Sequence, residues 1–290
     1  MKKMLFMGVA LLLIIPAIAG AIDWVDFTVA RHADTTTPTT AGFDSAMTEV
    51  STNFKYDNHD CTVDVPCTAR FRRSGAIGVF GTSGDGLDVI TTDAELNSVF
   101  GVMTHRAKVV DAVDYCAGGY NTSIVGCGRC NAFGYIVEEW SQGNVYVHEY
   151  GHNVLGCGHR DDCDFNVMHK FTNGQNNAVN AGECSGFGGR AYTTLCGEIY
   201  DGHGGPLTVS GGPYWLNCNV TVPAGRTLTI QAGVEIQFHQ GLRITSTGTT
   251  NADGSTTQII IYSNNKDRNY PTAYVNGDMT ISNGGQLILD

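Results

Sequence analysis

The chain has 290 residues, 28 acidic and 17 basic, for a formal net charge of −11. Such a surface repels phosphate backbones and anionic lipid headgroups, so nucleic acid and membrane surfaces are excluded as expected partners. Ten cysteines, an even number, fit an oxidising compartment in which they pair as disulfides.

At the N-terminus, Lys2 and Lys3 precede an apolar run from Met4 to Ile15, and Ala17-Ile18-Ala19 or Ala19-Gly20-Ala21 offers small residues for cleavage. Residues 1–21 are therefore expected to be a signal peptide, and the mature protein to be secreted, periplasmic or held at the cell surface. The apolar run is short for a bilayer span and lacks a cationic stop after it. No later segment is apolar enough to cross a membrane, so no stable insertion is expected once the signal is gone.

Residues 22–203 read as a first domain. Trp24 to Arg31 alternates, with Val25, Phe27 and Val29 against Asp26 and Thr28, the pattern of a half-buried strand. A Thr/Pro connector follows from Thr35 to Thr40. Phe43, Met47, Val50 and Phe54 then recur on one helical face, with Asp44 near the start to suit the helix dipole. Short strands are expected around Thr68 to Phe71 and Leu87 to Thr91, a helical patch over Ala94 to Phe100, and a strand through Ala107 to Val113. Tyr135 to Val137 is a further strand. It leads into a helix that Ser141 or Asn144 can cap.

That helix carries His148-Glu149-Tyr150-Gly151-His152, the pattern H-E-x-x-H. Positions i and i+4 lie one above the other on a helix, so His148 and His152 can share one metal ion. Glu149, turned about 100° away, can reach a water on that metal. Gly156 can end the helix and turn the chain back toward His159. Three protein ligands and an open fourth position describe a catalytic zinc rather than a structural one. Val147, Gly151 and Val154 are expected on the opposite face, toward the sheet, with close packing or room beside the metal as the return for a glycine inside a helix.

Together with Asn166-Val167-Met168-His169 farther on, this stretch resembles the metzincin zinc metallopeptidases of the secreted, reprolysin-like kind. Their motif is H-E-x-x-H-x-x-G-x-x-H followed by a methionine turn. The resemblance implies His148, His152 and His159 as zinc ligands, Glu149 as general base and Met168 beneath the metal. It also implies an α+β catalytic domain, a twisted sheet plus the active-site helix, acting on protein or peptide substrates. Strand, helix, strands, edge strand and active-site helix is the order expected of that family's upper subdomain.

One departure stands out. Leu155 occupies the place of the family's glycine, and Gly156 and His159 each come one position late. One additional helical residue turns the downstream chain by about 100° and advances it about 1.5 Å. Gly156-Cys157-Gly158 can absorb the extra residue, since glycine reaches backbone angles that others avoid. Asp161, Asp162 or Glu183 are the alternative third ligands.

Disulfides are expected throughout, including at Cys127-Gly128-Arg129-Cys130, with local pairs such as Cys61–Cys67 and Cys157–Cys163. His32, His59, His105, His203 and His239 have no paired spacing and read as surface or hydrogen-bonded histidines. His169 reads as a structural residue near the metal. An oxyanion-stabilising tyrosine such as Tyr192 has no support from spacing.

The texture changes near Gly204. Short rungs such as Val220-Thr221-Val222, Leu228-Thr229-Ile230, Val234-Glu235-Ile236 and Leu242-Arg243-Ile244 are separated by glycine-containing turns. Val222 to Phe238 resembles coils of right-handed parallel β-helices, in which inward residues of each turn stack on the next. Residues 204–290 are therefore expected to form a short or truncated β-helical region, with a small β-sandwich as the alternative. A rival reading gives this region a carbohydrate or protein partner at the cell surface and leaves the metal site catalytically inert.

Overall fold

The computed structural model describes residues 23–55, 61, 64–172, 176–223, 225–231 and 234–238, with the backbone of five further strands up to residue 289. The expected signal peptide, His59 and His239 lie outside the described residues. Helices and strands coexist, as an α+β class requires.

The expected single strand over 24–31 divides into β1 (Asp23–Phe27) and β2 (Val29–His32), which join different sheets. The break falls at Thr28, whose carbonyl accepts from the amides of both Arg106 and Ala107. α1 (Thr40–Lys55) follows, with Phe43, Met47, Val50 and Phe54 all buried, as their spacing requires. Asp44 serves an ion pair rather than the helix start, with its carboxylate 3.0 Å from Arg73. Next come β3 (Ala69–Arg73), β4 (Gly78–Phe80), β5 (Val89–Ile90) and α2 (Asp93–Phe100). α2 is fixed by a reciprocal cap between Thr92 and Glu95. The expected strand over 107–113 becomes β6 (Ala107–Val110) and β7 (Ala112–Val113), parted at Asp111. The short β8 (Tyr115–Cys116) and β9 (Gly119–Tyr120) pair with each other ahead of β10 (Gly126–Gly128), β11 (Tyr135–Glu138) and α3 (Gly143–Leu155).

Five strands form the central sheet in the order β10-β11-β6-β2-β4. All neighbours are parallel except β10, which runs antiparallel to β11 at the edge. Parallel strands need cover on both faces, and β6 is buried at every position. One face carries α1 and α3 over Val29, Val109, Tyr135 and Val137. The other carries α2 over Ala30, Val110 and Ile136. Aromatic rings key the first face: Phe27 stacks on Phe71 at 5.8 Å, and Phe54 meets Phe71 edge-on at 5.0 Å. Truncating such a ring costs about 3–5 kcal/mol.

After α4 (Ala181–Gly186), the chain turns to strands: β12 (Thr193–Glu198), β13 (Tyr200–Asp201), β14 (Gly204–Gly205), β15 (Tyr214–Val222), β16 (Leu228–Ile230), β17 (Glu235–Phe238) and β18 (Arg243–Thr250). β15 pairs in parallel with β12, β17 and β18, with Thr193 opposite Tyr214 and Tyr214 opposite Ile236. Beyond them β19 (Thr256–Tyr262), β20 (Thr272–Tyr274), β21 (Met279–Ile281) and β22 (Leu287–Leu289) pair antiparallel, unlike uniformly stacked coils. A separate apolar cluster runs from Leu195 to Ile236 and so begins before the glycine-rich boundary at Gly204. Lys55 and Tyr192 both reach Glu235, tying this region to the first.

The local cysteine pairs expected from sequence do not form. The structure pairs Cys61–Cys163, Cys67–Cys184, Cys116–Cys127, Cys130–Cys157 and Cys196–Cys218. Two of these span separations of 102 and 117 residues, because folding brings the 61–67 segment beside 163 and 184. Short spacing along the chain is a poor guide where tertiary contacts select the partner. No helix among the described residues is long and apolar enough to cross a membrane.

Candidate metal centre

The N-cap of α3 is Gln142, which makes no side-chain capping bond, so neither Ser141 nor Asn144 plays that part. Ser141 instead donates to the Val125 carbonyl, and Asn144 is buried in the first turn. The helix enters against α1 so closely that a Cβ on Gly143 would lie 2.4 Å from the Ala46 carbonyl. It ends at Leu155, where Gly156 adopts φ +99°. That positive angle, open to glycine and strained for other residues, turns the chain at the end of the helix.

The result is convergence. One ligand atom from each of His148, His152 and His159 lies within 4.8 Å of the other two, so the three can hold a metal ion. Their ring centroids are 4.9 to 5.3 Å apart. His148 Nδ1 sits 2.7 Å from the Val167 carbonyl, and His152 Nδ1 sits 3.0 Å from the Gly156 carbonyl. A carbonyl only accepts, so both Nδ1 atoms carry hydrogen and both Nε2 atoms keep a free lone pair. Burial, then the neighbouring His152, pushes His148 down to about 3 against the opposing pull of Val167. Burial also lowers His152 and His159. Neutral imidazole is the form that ligates metal, so burial keeps the donor set ready.

Glu149 lies under the edge strand. Burial pushes its carboxyl up to about 8, while the Gly128 amide donates to it and opposes the rise. A Cβ on Gly126 would sit 2.5 Å from Glu149 Oε1, and one on Gly128 would sit 2.7 Å from the His152 Cβ. Sequence reasoning missed these two glycines. Glycine at alternate positions of a strand, Gly126-Cys127-Gly128, was the available signal, since it weakens a strand and marks close approach of another group.

Among the other expected site residues, Met168 is buried, and a Cβ on Gly151 would lie 2.2 Å from its sulfur. Gly151 thus faces Met168 and Phe187, not the sheet, and close packing is the return for its presence in the helix. Glu183 caps α4 and pairs with Arg160 at 2.9 Å, which takes it away from the histidines. Asp162 also pairs with Arg160, and Asp161 with Lys170. None of the three alternative ligands joins the His148–His152–His159 group. Tyr192 donates to Glu235, and Tyr150 packs edge-on to Phe27 at 5.1 Å. His169 is buried with Nε2 facing Asp161 and Asp164 at 3.7 and 3.6 Å.

Arg160 is a further residue the sequence did not reveal. Its guanidinium bonds Asp64 and Glu183, and its amide donates to the Met168 carbonyl at 2.9 Å. It therefore fixes the loop that carries His159 against the turn that carries Met168. A scan against protein-family models and a search of curated proteins found no significant match to this chain.

Proposed function

We propose that the protein is a secreted zinc-dependent endopeptidase. The observation that carries this reading is the convergence of His148, His152 and His159, with a buried glutamate on the helix that holds the first two. Three nitrogen donors and no thiolate suit zinc, with a coordination position left over for water. When bound, the ion would supply Lewis acidity, bringing the pKa of water toward neutral. His148, His152 and His159 hold it. Glu149 takes the proton from the attacking water and passes it to the leaving amine, and the Gly128 amide aims the carboxylate. β10 ends the sheet order beside Glu149. An extended peptide can add to such an edge through main-chain hydrogen bonds, which favours a peptide over a compact substrate. The element order also agrees with the metzincin resemblance, in which Met168 lies beneath the metal.

Export is supported by the five disulfides and by the apolar leader. A β-helical reading of the C-terminal region is supported by the parallel pairing of β12, β15, β17 and β18. The rival reading, an inert adhesion protein, started from a displaced His159. That ring now lies with the other two.

The test is casein hydrolysis by the disulfide-intact chain, abolished by a chelator and restored by zinc. Glu149→Gln should lose at least 100-fold in rate while its zinc content stays at the wild-type value. Wild-type hydrolysis by that variant would remove Glu149 from the chemistry.

A further inference from the structure

Lys108 is fully buried on β6, the middle strand of the central sheet, and its ammonium has no hydrogen-bond partner. A buried charge is costly unless something of opposite sign meets it. The charges that act on this one are of its own sign. Burial, then Arg129 and Arg106, lower its pKa to about 8, so the ammonium is still charged at pH 7. Among the described residues no carboxylate pairs with any of the three, on a chain where acids outnumber bases 28 to 17. The chain has acid to spare, and none is placed here.

Aromatic rings stand beside the three cations instead. Lys108 Nζ lies 5.5 Å from the centre of the Phe133 ring, and the Arg106 guanidinium lies 4.7 Å from the same ring. The exposed Arg129 lies 5.3 Å from the Phe100 ring. A ring face attracts a cation but carries no net charge, so the repulsion among the three is left in place. The chain from Arg129 to Gly134 roofs the ammonium: a Cβ on Gly134 would lie 2.6 Å from Nζ. Asn153 clamps both ends of that loop. Its amide donates to the carbonyls of Arg129 at 2.9 Å and Gly134 at 3.0 Å, and its oxygen accepts from the Gly134 amide at 3.1 Å. Between those ends the Asn131 amide donates to the His152 carbonyl at 2.9 Å, and Cys130 is bridged to Cys157. The loop that covers the buried ammonium is thus the loop that grips α3 at His152.

We propose that Lys108, Arg106 and Arg129 bind a halide-sized anion under the 129–134 loop. The anion meets the orphan ammonium and relieves the repulsion among the three cations, so it strengthens the loop and its hold on α3. Gly134 and Phe133 close Nζ off from solvent, and the anion enters as the half-buried Phe133 ring turns aside. The room so freed suits a single-atom anion rather than phosphate or an organic acid. The site shares no residue with His148, His152 and His159, so it stands whether or not the protein is a peptidase.

The experiment is thermal unfolding of the disulfide-intact full chain at pH 7, in sodium chloride against sodium methanesulfonate at equal ionic strength, so that general screening cancels. Chloride at about 100 mM should raise the wild-type midpoint by at least about 3 °C, and bromide should act alike. Lys108→Met should lose most of that response, so its lead in stability over wild type is largest in methanesulfonate. Arg129→Gln, a change at an exposed side chain, should weaken the response as well. Hydrogen exchange reads the loop directly. Chloride should slow exchange of the Asn131 and Gly134 amides about 10-fold in wild type and leave them unchanged in Lys108→Met. Equal wild-type midpoints in the two salts, an undiminished chloride response in Lys108→Met, or a raised midpoint without slower exchange at Asn131 and Gly134 would each overturn the proposal.

Discussion

The sulfur of Met168 occupies the space in which a side chain on Gly151 would begin, 2.2 Å from an ideal Cβ. Alanine in a helix interior gains about 1 kcal/mol over glycine. Overpacking a buried site costs about 1–3 kcal/mol. Gly151→Ala should therefore lower stability by up to about 2 kcal/mol, read from the denaturant midpoint. An increase in stability would mean that Met168 swings aside freely and is not held by the turn.

Gly126 stands in the same relation to Glu149, with a Cβ expected 2.5 Å from Oε1. Gly126→Ala must displace either the edge strand or the carboxylate. A displacement on the order of 1 Å costs about 100-fold in rate. Peptide hydrolysis should fall by about that factor while zinc content, set by the three imidazoles, stays unchanged. Loss of zinc along with activity would instead indicate that β10 supports the ligands themselves.

Lys108 lies on the middle strand β6, fully buried, with no hydrogen-bond partner for its ammonium. Burial, then Arg129 and Arg106, pushes its pKa down to about 8. Below pH 8 folding must bury a charge that the unfolded chain keeps in water. Between about pH 8 and 10 the folded chain releases the proton and the unfolded chain holds it, so stability rises with pH in that window. Lys108→Met should accordingly stabilise the protein by about 1–3 kcal/mol at pH 7, with the gain shrinking toward pH 10. Thermal unfolding of both chains across that range checks the sign.

Cys130–Cys157 ties the loop after β10 to the segment between Gly156 and His159, closing 27 residues of chain. Replacing both cysteines by serine should cost about 2–4 kcal/mol. Because the same bridge restrains the approach to His159, zinc affinity should weaken about 10-fold, measured by competition with a chromogenic chelator. A stability loss with unchanged affinity would assign the restraint to Arg160 alone.

The sequence made α1 legible through four apolar residues at helical spacing, and the metal helix through His148 and His152. Both signals are local, and helical periodicity is a local property. The sequence names His159 as the third ligand but leaves Asp161, Asp162 and Glu183 open beside it, because its arrival depends on one backbone angle at Gly156 and on the grip of Arg160 upon Asp64 and Glu183. The cysteine pairing failed for a similar reason: Cys67 meets Cys184 only after β3 and α4 have come together. His32, read as a surface or hydrogen-bonded histidine, is buried and bonded to Asp85, a partner 53 residues on in a loop that only the β2–β4 pairing brings back. Alternation also misled at Thr28 and Asp111, where the apolar pattern runs on while the strand changes partner.

The most direct test of the central claim is a crystal structure of the zinc-loaded, disulfide-intact chain with anomalous data at the zinc edge. An anomalous peak should lie about 2.0–2.1 Å from the Nε2 atoms of His148 and His152 and from one ring nitrogen of His159. A peak held by His148 and His152 with the His159 ring turned to solvent would contradict the account, as would a third ligand drawn from Asp161, Asp162 or Glu183.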